Sequence, residues 1–115
     1  MRTTYRFAEI TFETSDFKMD AGVDWDFDDN TANIEFFFDG YQLSETEDKT
    51  LLDAIRSNFS NVTDSFSTYD EDGDTRVEVF IDTSKCDETE VNNMLMFFAP
   101  ILFSLWQGKL TIEDK

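Results

Sequence analysis

The chain has 115 residues, 40% of them hydrophobic and 13 of them Phe, which is enough apolar surface for one core and one domain over 1–115 and excludes disorder. Nine Lys and Arg stand against 26 Asp and Glu, with no His, for a formal net charge of -17. That sign excludes direct binding to nucleic acid or anionic membrane, both polyanions, and the single Cys86 excludes an internal disulfide, a zinc site and a Cys–His nucleophile.

Thr4 to Glu13 reads as a first strand whose alternation breaks near Ala8, predicting a bulge. No continuous apolar run opens the chain, so no secretory signal is expected and the expected compartment is the cytosol. The sequons at Asn58 and Asn61 are then expected to stay unmodified. Residues 14–22, TSDFKMDAG, end in Gly22 and read as a connection. Val23, Trp25 and Phe27 alternate with Asp24, Asp26 and Asp28, the period of a strand with one buried and one wet face. Asp29 to Asn33 is turn chemistry, and Ile34, Phe36 and Phe38 resume the alternation, predicting a hairpin over 23–43. Phe37 falls on the opposite parity, beside Glu35 and Asp39.

Ser44 and Glu47 have the spacing of a capping box, and Leu51, Leu52, Ile55 and Phe59 follow at helical spacing, predicting a helix over 45–59. Val62 to Tyr69 reads as a polar strand. The turn Asp70-Glu71-Asp72-Gly73-Asp74 leads into a strand over 75–82, where Val77, Val79 and Ile81 alternate with Arg76, Glu78, Phe80 and Asp82. With Gly73 at the sixth position of a calcium loop, Val79 would occupy the twelfth, where a bidentate Glu is required. The segment is therefore expected to be an acidic turn, and no metal or cofactor is called for. Asp87 and Glu90 repeat the capping spacing, and Val91, Met94, Leu95, Phe98, Leu102 and Leu105 predict a second helix bent at Pro100 and stopped at Gly108. Its apolar run, 94–106, is shorter than the roughly 20 residues a membrane span needs. Met96, Phe97 and Phe103 leave apolar surface that one sheet does not cover, a surface suited to a second copy of the chain.

These elements predict an α+β fold: a mostly antiparallel five-stranded sheet in the order βββαββα, with two helices packed on one face and acidic rows on the other. Nothing supports catalysis, since the chain lacks His, paired Cys, a phosphate-cradling glycine run and a nucleophile elbow, and 26 carboxylates make chance acid pairs uninformative. The charge asks for a use, because solubility needs a magnitude of only about 2 to 8. A halophilic surface would favour small residues over 13 Phe, and a merely solubilising one fits a smaller excess better than -17. The expected use is binding a basic protein partner, a nuclease or nucleic-acid-binding enzyme, through Asp24, Asp26, Asp28, Asp29, Glu35, Asp39, Tyr41, Asp70, Glu71, Asp72 and Asp74. An immunity protein against a nuclease toxin is one form of such an inhibitor. A phage-type DNA mimic against restriction or CRISPR nucleases is another, and an aromatic anchor such as Trp25, Tyr41 or Tyr69 amid the acids would favour the first. From a different class comes an assembly subunit that dimerises through the second helix.

Overall fold

Alternating apolar residues build five strands, and two capped runs build two helices, in the order β1 (Thr4–Glu13), β2 (Lys18–Asp26), β3 (Thr31–Phe38), α1 (Glu45–Asn58), β4 (Val62–Tyr69), β5 (Thr75–Asp82) and α2 (Glu88–Gln107). A computed structural model describes residues 4–26 and 29–108, without the side chains of residues 4–7. The strands form one sheet in the order β1-β2-β3-β5-β4, each neighbouring pair antiparallel. From β3 the chain crosses through α1 to the far edge at β4, and β5 returns to fill the place between them. The expected α+β architecture is the one observed.

Met19, Ala21, Val23 and Trp25 of β2, Ala32, Ile34, Phe36 and Phe38 of β3, and Val77, Val79 and Ile81 of β5 all turn to one side and are buried. Leu51 and Ile55 of α1 and Val91, Leu95, Phe98, Leu102 and Trp106 of α2 close over them. Phe36 joins the layers, its ring centroid 6.4 Å from Phe59 and 6.1 Å from Phe98. At the end of α2, Trp106 is met edge-on by Phe17 and Phe38, each at 4.9 Å, and by Tyr41 at 5.5 Å. Both capping boxes form: Ser44 and Glu47 exchange bonds at 3.2 and 2.9 Å, Asp87 and Glu90 at 2.9 and 3.3 Å.

The structure corrects several boundaries. β2 begins at Lys18, not Val23, because Met19 and Ala21 share the inward parity of Val23 and Trp25 while Gly22 pairs outward between Glu9 and Glu35. The β1–β2 turn shrinks to residues 14–17, closed by the Thr14 N–H on the Phe17 carbonyl at 2.8 Å. The next turn is also tighter than expected: Asn30 takes a left-handed φ of 51°, and Thr31 and Asn33 already pair with Asp26 and Asp24. Phe27 and Asp28 lie outside the described residues. The bulge near Ala8 is present as a register shift between Arg6 and Ala8. α1 ends one residue early, with Phe59 leaving the helix in extended conformation and turning its ring into the core. α2 continues as helix through Pro100, which stands at an exposed position.

Thr75 ties the loop after β3 to the sheet. Its buried hydroxyl donates to the Tyr41 carbonyl at 2.8 Å and accepts from the Leu43 N–H at 3.1 Å. Thr75→Val keeps the shape and strands both backbone groups, so it is expected to lower stability by about 1–3 kcal/mol in urea unfolding, with an unchanged slope.

Candidate partner-binding face

Because both helices cover one side of the sheet, the outward parity of every strand forms an uncovered face. Glu9 of β1, Asp20, Asp24 and Asp26 of β2, Glu35 of β3, Asp64 of β4, and Glu78 and Asp82 of β5 all stand on it. Carboxylates two residues apart on a strand are about 6.6 Å apart, and neighbouring strands about 4.8 Å, so this is a lattice of negative charge. Such rows repel, and Glu35 stands directly opposite Glu78.

Local donors hold the lattice in place. Arg76 pairs with Glu35 at 3.8 Å, the Asn33 side-chain amide donates to Glu78 at 3.0 Å, and the Thr11 hydroxyl donates to Asp20 at 2.6 Å. The Asp29 N–H donates to Asp26 at 3.2 Å. Asp82 accepts from the hydroxyl and the N–H of Ser84, at 2.6 and 2.9 Å, which hold its carboxyl below the usual range. Strands therefore tolerate acids here because each bonded carboxylate has a donor, placed by the register for Asp20, Glu35 and Glu78 and by the adjoining turn for Asp26 and Asp82.

The predicted residues fall into groups. Asp24, Asp26, Asp29 and Glu35 line one hollow of about 490 Å³ together with Asn33 and Phe80. Asp39, Asp70, Glu71, Asp72 and Asp74 gather at the opposite end of the sheet, where Asp39 is six residues or roughly 20 Å beyond Asn33, the register partner of Asp24. In that second group the acids build the turn itself. Asp70 accepts from the N–H groups of Asp72 and Asp74, each at 3.0 Å, Asp74 accepts from Gly40, and Gly73 supplies the left-handed φ of 85°. The carboxylates of Asp70, Asp72 and Asp74 come within 4.8 Å of one another. Asp28 lies outside the described residues.

The aromatic anchors also sort out. Trp25 is buried in the core, so it cannot serve as a surface anchor. Tyr41 lies on the helix side, half-buried against Trp106, with its hydroxyl donating to Glu47 at 2.7 Å. Burial and the Glu47 carboxylate push the Tyr41 phenol up to about 12. The fold thus favours the neutral phenol, and that contribution is present below the ordinary value of 10 and lost as the pH rises from 10 through 12. An absorbance titration should show Tyr41 ionising only near pH 12, and Tyr41→Phe should remove that late step.

Tyr69 is 43% exposed at the end of β4. Three further aromatics, not predicted as part of the site, stand among the acids. Phe66 and Phe80 pack with centroids 5.7 Å apart, and Phe37 lies beneath Arg76, whose guanidinium carbon is 5.6 Å from the ring centroid. Gly22 leaves a gap in the lattice, a second hollow of about 220 Å³ bordered by Glu9, Asp20, Glu35, Phe37 and Arg76. Away from this face, Cys86 is buried and its thiol donates to the Asp82 carbonyl; burial pushes that thiol above its ordinary value.

Comparison of the chain with protein-family models, curated proteins and solved structures found no match. Among the described residues no helix is long and apolar enough to cross a membrane.

Proposed function

We propose that this protein is a non-enzymatic acidic inhibitor that covers the basic, nucleic-acid-handling surface of another protein. The observation that carries the reading is the uncovered sheet face, where carboxylates from all five strands stand in register around a small aromatic cluster. A cleft built to read rows of phosphate with Lys and Arg offers the complementary charge, and steering between opposite charges speeds association. Phe66 and Phe80 supply the apolar and aromatic contacts that slow release. Discrete aromatics amid the acids favour an immunity protein acting on one nuclease toxin over a mimic that follows a duplex contour, such as an anti-restriction or anti-CRISPR protein. The site of action proposed is the cytoplasm, where a nuclease meets its substrate.

Capture from cell extract on the tagged protein, eluted with a salt gradient, tests this. The expected result is a basic nucleic-acid enzyme that elutes as salt screens the contact. Recovery of only the protein itself would count against the reading.

A second reading, an assembly subunit that dimerises through α2, is favoured by a separate observation. No charged residue occurs from Val91 to Gln107, and the outer side of that helix exposes Phe97 at 65%, Ile101 at 40% and Met96 at 39%. A second copy seated there would leave both acidic faces outward, so the two functions are compatible. Phe97→Glu is expected to convert a micromolar dimer to monomer in sedimentation while shifting the melting temperature by no more than a few degrees. A monomeric parent protein would contradict this second reading.

A further inference from the structure

The outer side of α2 has an order of its own. Glu90, Asn93, Phe97, Pro100, Ser104 and Gln107 are all exposed, at spacings that alternate between three and four residues. That is the period of about 3.5 residues that marks the seam between two helices crossing at about 20°. The seam also reads alike from either end. Phe97 and Pro100 stand at its middle with exposed Met96 and Ile101 beside them, Asn93 and Ser104 come next, and Glu90 and Gln107 close it. Turned end for end about the point between Phe98 and Ala99, apolar groups fall on apolar groups. The Asn93 amide falls on the Ser104 hydroxyl, and the Gln107 amide falls on the Glu90 carboxylate as donor on acceptor. An interface between two identical chains requires a patch that matches itself under a two-fold rotation, and a foreign partner sets no such condition.

We propose that a second copy of the chain seats here with its own α2 antiparallel, so that Phe97 of each copy lies on Pro100 of the other. The inference rests on the dimer reading above and fixes its geometry. Charge decides the direction. Each copy carries a formal net charge of -17, and Glu88 and Glu90 stand in the first turn of α2. A parallel pair would set those acids side by side. The antiparallel pair holds the two Glu90 residues roughly 25 Å apart, well beyond the screening length of about 8 Å at physiological salt. Between them, from Val91 to Gln107, no charged residue opposes the contact.

The test uses the full chain carrying Asn93→Cys or Ser104→Cys, each a change at an exposed polar position that leaves the core untouched. The variants are oxidised with glutathione disulfide at micromolar concentration, alone and mixed, and read by non-reducing gel and intact mass. Mixed, they are expected to give a covalent dimer that contains one chain of each, because these two positions face each other. Alone, neither should cross-link, since two copies of one position stand roughly 16 Å apart and a disulfide needs Cα atoms within about 7 Å. The parent chain, whose Cys86 is buried, is the control and should stay uncross-linked. Cross-linking of each variant with itself would overturn the antiparallel seat while leaving the dimer reading intact. A dimer in sedimentation that gives no cross-link in the mixture would do the same. A parent protein that sediments as a monomer would overturn both.

Discussion

Asp24→Lys together with Asp29→Lys is expected to weaken the partner complex about 100-fold at low salt and to leave the domain folded. Both residues border the large hollow, and Asp29 is exposed. Reversing a charge that faces a basic surface replaces attraction with repulsion, and about 1.4 kcal/mol at each of two positions gives that factor. The pair changes the net charge from -17 to -13, since each reversal adds two units. A control with the same arithmetic, Asp16→Lys with Asp53→Lys, alters exposed acids on the β1–β2 turn and on α1. It separates position from total charge. The control is expected to weaken binding less than about 5-fold, through long-range steering alone. Asp53 also pairs with Lys49 at 2.8 Å, but an exposed pair of that kind contributes little to stability. Equal losses from both variants, measured by calorimetry, would mean that net charge and not the face drives the complex.

Phe36→Ala is expected to destabilise the domain by about 3–5 kcal/mol, with a melting temperature lower by more than about 10 °C. Phe36 is fully buried at the centre of β3 and touches both Phe59, which closes α1, and Phe98 of α2. Removing the ring opens a cavity at the point where sheet and both helices meet, and three separate elements would have to move to fill it. A domain with an ordinary stability of about 5–15 kcal/mol would remain only marginally folded. Phe37→Ala, one residue on, turns the other way and should cost far less, since that ring is half-exposed beneath Arg76. Thermal unfolding of the two variants side by side checks the parity of β3 directly.

The pattern of the chain made β3, β5 and both helices readable because each carries a clean period or a capping box, as in Ile34, Phe36 and Phe38 or in Ser44 and Glu47. β2 was readable only from Val23, since Lys18, Asp20 and Gly22 have low strand propensity and owe their place to pairing, Lys18 with β1 and the other two with β1 and β3 on both sides. The acidic row of β2 was likewise legible from its alternation. What pattern alone could not supply was the strand order. The insertion of β5 between β3 and β4 brings Glu78 opposite Glu35 and Phe80 opposite Asn33, and so creates the aromatic wall of the hollow. The same topology carries Asp39 and the 70–74 turn to the far end, away from Asp24, and puts Tyr41 against Trp106 on the helix side. Trp25 read as an anchor because tryptophan is common in interfaces, but its parity is that of Val23, and parity decided its burial.

The claim that this face occupies a nucleic-acid-binding cleft is tested most directly by competition. A fluorescent nucleic acid would be bound to the captured partner and titrated with the parent protein and with the Asp24→Lys, Asp29→Lys variant, following anisotropy. Displacement is expected to be complete near one equivalent of the parent protein, with none by the variant at the same concentration. A ternary complex, in which nucleic acid and this protein stay bound to the partner together, would contradict it.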